Sequence, residues 1–279
     1  MSDGNAFAVL RAARRVWAIG SIHGEADRLR QLHDQLSGRL LDGDRLVYLG
    51  NYLGYGADIV GVVDELLGFR REFLARPPFM DAGDLVFLRG SQEEMWHRVL
   101  QLQFAVDPVE VMSWMGERGL AATLAAYAGD TNTDILGQRA GPLTIAQWTG
   151  SVRAAMQELP GHVPFMSALK RAAYTAEESL LFVNAGIDTD KPVEEQSDVL
   201  WWTGHSFAQI DAPFGNFAKV IRGYDPDHGG FYENENTLAN DGGFGLRGGP
   251  GAGGFSAPGA NFGPPGIPIF VFLILRQDF

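Results

Sequence analysis

Arg15-Val16-Trp17-Ala18-Ile19-Gly20-Ser21-Ile22-His23-Gly24 is an apolar run that stops at a glycine and passes directly into a short polar turn. The same design returns twice. Arg45–Gly50 (RLVYLG) and Asp84–Gly90 (DLVFLRG) also end in glycine, where a chain leaving a sheet can turn sharply. Between the first two runs Ala26, Leu29, Leu32, Leu36 and Leu40 recur at helical spacing. Between the second and third, Ile59, Val62, Val63, Leu66 and Leu67 do the same. This alternation predicts βαβ units in which each strand delivers a loop to the carboxyl edge of a sheet.

From Glu93 to about Tyr174 the spacing turns helical, with breaks expected at Pro108, at Gly129–Gly141 and at Pro160–Pro164. We read a helical insertion over about 94–175, not a second domain. Strand character returns at Leu180–Asn184 (LLFVN), at Ala218–Arg222 (AKVIR) and in a final apolar run, Ile267–Leu275. Residues 242–268 are so rich in glycine and proline that they are expected to form a long loop. Within it, Gly248–Gly254 lacks the strand-to-helix setting of a phosphate-cradling loop. Phe244, Phe255 and Phe262 would suit either a partner surface or packing back on the chain. The expectation is a single α/β domain over residues 1–279.

Composition removes whole classes of function. The 279 residues carry no cysteine, which excludes disulfides and thiolate metal ligands. The net charge of −12 opposes phosphate backbones, and the basic clusters are small (Arg11, Arg14 and Arg15; Arg70 and Arg71). Nucleic acid is therefore not the expected partner. No window approaches the roughly 20 apolar residues of a membrane span. Met1–Val9 lacks the basic-then-apolar order of a signal peptide, so the expectation is a cytoplasmic protein that is not integral to a membrane. An HExxH helix, a P-loop, a GxSxG elbow and a cysteine nucleophile are all missing from the sequence.

The loops after the strands carry a resemblance. Gly20–Gly24 (GSIHG), Gly50–Gly56 (GNYLGYG) and Leu88–Glu93 (LRGSQE) resemble, in order, the GDIHG, GDYVDRG and LRGNHE blocks of calcineurin-like metallophosphatases of the bacterial serine/threonine phosphoprotein phosphatase type. Downstream, Phe182–Ile187 (FVNAGI) resembles FVHAGI, Ile221–Pro226 (IRGYDP) resembles VHGHTP, and Asn240–Gly245 (NDGGFG) resembles part of DTGAGFGG. The resemblance implies a two-sheet α/β sandwich flanked by helices. In that family the blocks hold two divalent metals that activate a water for phosphoester hydrolysis.

Carried over position by position, the resemblance implies a degenerate site. Ser21 stands at an aspartate ligand, Asn51 at the bridging aspartate, Ser91 at an asparagine ligand, and Asn184 and Tyr224 at two histidine ligands. His23 alone keeps its family identity. Gln92 stands at the histidine general acid, Gly54 at the aspartate that orients it, and Tyr55 at a phosphate-clamping arginine. Leu200–Phe207 likewise lacks the arginine of its counterpart. Two dications held close together repel unless anionic ligands compensate, so neutral replacements predict no metal, no cofactor and no catalysis. His23 is then expected to be an ordinary hydrogen-bonded histidine, Glu93 a local cap and Glu94 a solvated helix residue. Asp225, Asp227 and His228 could form a substitute metal site, though a solvated turn is the plainer reading. The functional expectation is a pseudophosphatase that binds a protein partner within an assembly. Its alternatives are an active phosphoesterase with an unusual metal site and a non-catalytic binder of phosphate or nucleotide.

Overall fold

A computed structural model describes residues 6–76, 81–128, 141–202, 207–227 and 231–241. Three parallel strands, β2 (Arg15–Ile19), β3 (Asp44–Tyr48) and β4 (Leu85–Phe87), form the first sheet in that order. Ile19 aligns with Tyr48, and Tyr48 with Phe87, so all three strands end at the same level. The connecting helices are α1 (Ala26–Ser37) and α2 (Ile59–Leu74). Their buried faces are those the spacing predicts, except that Leu40 lies just beyond α1, and Leu40 and Leu67 are only partly buried. Asp58 starts α2 by accepting a hydrogen bond from the Gly61 amide at 2.8 Å.

The second sheet has six strands: β1 (Phe7–Leu10), β5 (Ala172–Thr175), β6 (Leu180–Val183), β7 (Lys219–Arg222), β8 (Phe231–Glu233) and β9 (Thr237–Asn240). Their order is β1-β5-β6-β7-β9-β8. The β6, β7 and β9 strands run parallel, while β5 and β8 pair antiparallel to β6 and β9. The strand period of two sorts the side chains into layers. Val16, Ala18, Val47, Leu49, Val86 and Leu88 face Leu10, Ala173, Leu180, Phe182, Ile221 and Leu238 across the interior between the sheets. The alternate residues Trp17, Ile19, Leu46, Tyr48, Leu85 and Phe87 pack under the helices. Both faces are buried, which explains why these strands read as nearly continuous apolar runs.

Between the sheets' strands lie α3 (Ser91–Val99), α4 (Pro108–Met115), α5 (Ala121–Ala128), α6 (Pro142–Gln157) and α7 (His162–Ala168). A short α8 (Val199–Trp202) follows β6. Helix is interrupted before Pro108 and around Pro160, as expected: Pro108 begins α4, and Pro164 sits in the first turn of α7, where an amide proton would have no intrahelical partner. One expectation for this region needs correction, the extent of the insertion. Helical structure ends at Ala168, and β5 occupies positions that the spacing assigned to the insertion. The apolar run Ile267–Leu275, the glycine-rich loop and the Gly129–Ala140 break lie outside the described residues. Among the described residues no helix is long and apolar enough to cross a membrane.

Helix α2 is flanked by two buried imidazoles held by adjacent carboxylates. His33 Nδ1 lies 2.5 Å from Glu65 and its Nε2 2.9 Å from the Tyr48 hydroxyl. His162 Nε2 lies 3.1 Å from Asp64 and its Nδ1 2.9 Å from the Tyr127 hydroxyl. The second link, with Phe165 edge-on to Tyr52 at 5.4 Å, fastens α7 to the core.

Candidate functional site

The loops that leave β2 and β3 are zipped together by their backbones. The Ile22 and His23 amides donate to the Asn51 carbonyl at 2.9 and 2.8 Å, and the Gly24 amide donates to Tyr52 at 2.9 Å. The turn after β3 takes left-handed backbone at Gly50 (φ 94°), Asn51 (59°), Gly54 (81°) and Tyr55 (59°). Such values cost a non-glycine residue energy unless its surroundings fix it. Glu93, in the first turn of α3, supplies that constraint. Its carboxylate accepts from the amides of Gly90 (2.8 Å), Asn51 (2.9 Å), Tyr52 (2.8 Å) and Leu53 (3.1 Å). Burial raises the Glu93 carboxyl above its ordinary value, and the four amide bonds oppose that shift. Gly90 is required here because a Cβ would lie 2.3 Å from the Asn51 amide nitrogen.

Inside this frame the substituted positions meet. Ser21 Oγ donates to the Gly223 carbonyl at 2.9 Å and accepts from Asn51 Nδ2 at 3.2 Å. Asn51 Oδ1 accepts from Ser91 Oγ at 3.0 Å and from the Gln92 amide at 3.1 Å. Asn184 Oδ1 accepts from the Ser91 amide at 3.1 Å, and its Nδ2 donates to the Leu49 carbonyl at 2.7 Å. The Asn184 carbonyl in turn holds the amides of Gly223 and Tyr224. Ser21, Asn51, Ser91 and Asn184 are at most 5% exposed. The result is a closed network of neutral groups, with amide N–H donors where a cation site would need lone pairs.

His23 is 2% exposed, with Nδ1 3.4 Å from the Leu53 carbonyl. Tyr55 and Tyr224 stand edge-on to its ring, at centroid distances of 5.3 and 6.1 Å. Burial raises the Tyr55 phenol, with Arg118 opposing. Tyr224 is pushed up to about 12, first by burial and then by the proximity of Tyr55, Asp241 and Asp225. Both phenols stay neutral at physiological pH. Gln92 donates from Nε2 to the Arg118 carbonyl at 2.8 Å, while its Oε1 is buried without a hydrogen-bond partner. Gly54 lies beneath that amide, and its backbone N–H donates to Thr123 Oγ1 at 3.1 Å. Arg118 and Thr123 come from the helical insertion, which therefore packs directly on the loops. No motif in the sequence marked either residue.

The structure thus gathers Ser21, His23, Asn51, Gly54, Tyr55, Ser91, Gln92, Asn184 and Tyr224 at one edge. Glu94 departs from its sequence reading. It is buried, not solvated, because Arg89 and Arg98 flank it at 3.2 and 3.1 Å. Asp225 is also buried, lying 3.0 Å from Arg222 with its amide bonded to Asp241, so that end of the turn is not solvated. Asp227 is exposed, and His228 lies outside the described residues. From the last block only Asn240 and Asp241 are described, and Asn240 Nδ2 donates to Ala18 at 3.0 Å. The segment from Thr203 to Ser206 is likewise outside the described residues, as are Phe244, Phe255 and Phe262.

Among the described residues no group of three or more histidine, aspartate or glutamate side chains is placed to hold a metal. One imidazole among hydroxyls and amides already engaged with one another does not fit a pair of divalent ions. Such a pair needs hard anionic oxygens to offset its mutual repulsion.

A two-sheet sandwich with residues of all six blocks converging on one edge is the arrangement that the resemblance to calcineurin-like metallophosphatases implies. No protein-family model matches the sequence, and no curated protein matches it at a significant level. Solved structures with a similar chain path include a protein serine/threonine phosphatase from Saccharomyces cerevisiae, at 13% identity over 99% of this chain and 85% of that one, with a TM-score of 0.47. They also include a cold-active protein tyrosine phosphatase, at 14% identity over 84% and 70%, TM-score 0.44. A metallophosphoesterase from Sphaerobacter thermophilus is similar at 13% identity over 80% and 64%, TM-score 0.38. At these identities no activity transfers to this chain.

Proposed function

We propose that this chain is a pseudophosphatase, a catalytically inactive protein with a metallophosphatase fold that acts by binding a protein partner as a subunit or regulator of an assembly. The observation that carries the reading is the neutral network of Ser21, Asn51, Ser91 and Asn184. These side chains spend their donors and acceptors on each other and on backbone groups, leaving no anionic pocket for a dinuclear centre. Gln92 cannot deliver a proton, and Tyr55 offers no charge to a phosphate. The binding role is supported by large apolar side chains left in water on the insertion, among them Phe104 (80% exposed) and Leu143 (72% exposed).

The test is metal analysis of the purified chain together with phosphoester hydrolysis assayed in added manganese, iron or zinc. The reading expects metal well below stoichiometric and no turnover, and it expects a stable protein to co-purify from the source cells. Stoichiometric metal with hydrolysis that disappears on His23→Ala would overturn it. Saturable phosphate or nucleotide binding without turnover would replace the scaffold role with a ligand-binding one.

A further inference from the structure

A cleft lies between α3, α6 and α7. Its volume is about 270 Å³. The walls are apolar: Trp96 on α3, Met156 on α6, Met166 on α7 and Leu169 just beyond it. Its polar lining holds two arginines, Arg89 and Arg153, together with Glu93, His97, Gln157 and Ser167.

The charge balance there is uneven. Glu93 borders the cleft, but its carboxylate is engaged by four backbone amides. Arg89 is compensated by Glu94. Arg153 has no carboxylate partner among the described residues, and its guanidinium donates to the Leu100 carbonyl. A cation at an apolar cleft attracts an anion more strongly than it would in open water.

Size narrows the occupant. A dry apolar cavity of roughly 150 Å³ accepts a benzene ring, so this cleft has room for a chain of about eight carbons. We propose that the cleft binds a medium-length aliphatic carboxylate, with its tail against Trp96, Met156 and Met166 and its carboxylate on Arg153. The cleft shares Arg89 and Glu93 with the loop blocks, but none of the substituted positions lines it, so this assignment holds whether or not the loop edge is inert.

Isothermal titration of the full chain with octanoate tests it. Saturable binding of one octanoate per chain is expected. Arg153→Gln should weaken that binding at least tenfold, whereas Arg153→Lys, which keeps the charge, should retain most of it. Val163→Trp places an indole into the cleft from a partly exposed position and should abolish binding while leaving the thermal midpoint unchanged. Failure of the wild-type chain to saturate by ~1 mM octanoate would overturn the assignment. So would equal affinity in Arg153→Gln, or retained binding in a folded Val163→Trp protein.

Discussion

Glu93 is the residue on which the loop edge depends, because four amides from two loops end on one carboxylate. Glu93→Ala strands those donors, and each buried unsatisfied group costs about 1–3 kcal/mol. The variant is expected to lose at least ~4 kcal/mol, read from its urea midpoint, or to fail to fold. His33 governs a different response. Burial lowers its imidazole below the ordinary value, against the pull of Glu65, Glu72 and Asp34. The unfolded chain therefore takes up that proton at higher pH than the folded one does. Stability present above about pH 6.5 is lost as the pH falls below it, at up to about 1.4 kcal/mol per pH unit. His97 is lowered in the same direction by burial and Arg89, so His33→Gln should reduce the slope of midpoint against pH without abolishing it. At this scale the substituted positions were legible because a few glycines and His23 keep the block spacing. Arg118 and Thr123 were not, since they carry no motif. Glu94 was misread because a helical carboxylate normally points to water, although its i,i+4 spacing to Arg98 was already a sign of pairing.

Among the elements, β2 approaches β9 through a glycine. A Cβ on Gly20 would lie 2.2 Å from the Asn240 carbonyl oxygen, far inside any real contact. Gly20→Ala must push the two sheets apart at that edge and should cost roughly 1–3 kcal/mol, measured as a lower denaturation midpoint with the far-ultraviolet spectrum retained. Strands β2, β3 and β4 were legible as apolar runs that each end in glycine, and helices α1 and α2 by their periodic spacing. Strands β1, β5, β8 and β9 lack a sustained apolar run of their own, and their strand character comes from their neighbours in the sheet. The break at Pro108 was legible because proline is tolerated at a helix start and not within one, so α4 begins on it.

The whole molecule rests on the layer between the sheets. Phe182 is fully buried there, and Phe182→Ala should cost about 3–5 kcal/mol, with calorimetry showing a lower thermal midpoint for one transition. Which faces would meet could not be read from strand patterns, because both faces of the central strands are apolar. The order of the six blocks implied the sandwich, and the packing of Val47 and Leu49 toward Phe182 and Ile221 gives it a physical basis.

The network of Ser21, Asn51, Ser91 and Asn184 also bears on the order in which the chain folds. Its bonds join residues very far apart in sequence: Asn184 to Leu49 across 135 positions, Ser91 to Asn184 across 93, and Ser21 to Gly223 across 202. Closing such long loops demands entropy that local helices do not, so these links should form only after α1 and α2 have docked on the first sheet. In pulse-labelled refolding, the amides of α2 are expected to gain protection before those of Ser91, Gly223 and Tyr224. The most tightly knotted part of the native protein would then be the last to take shape.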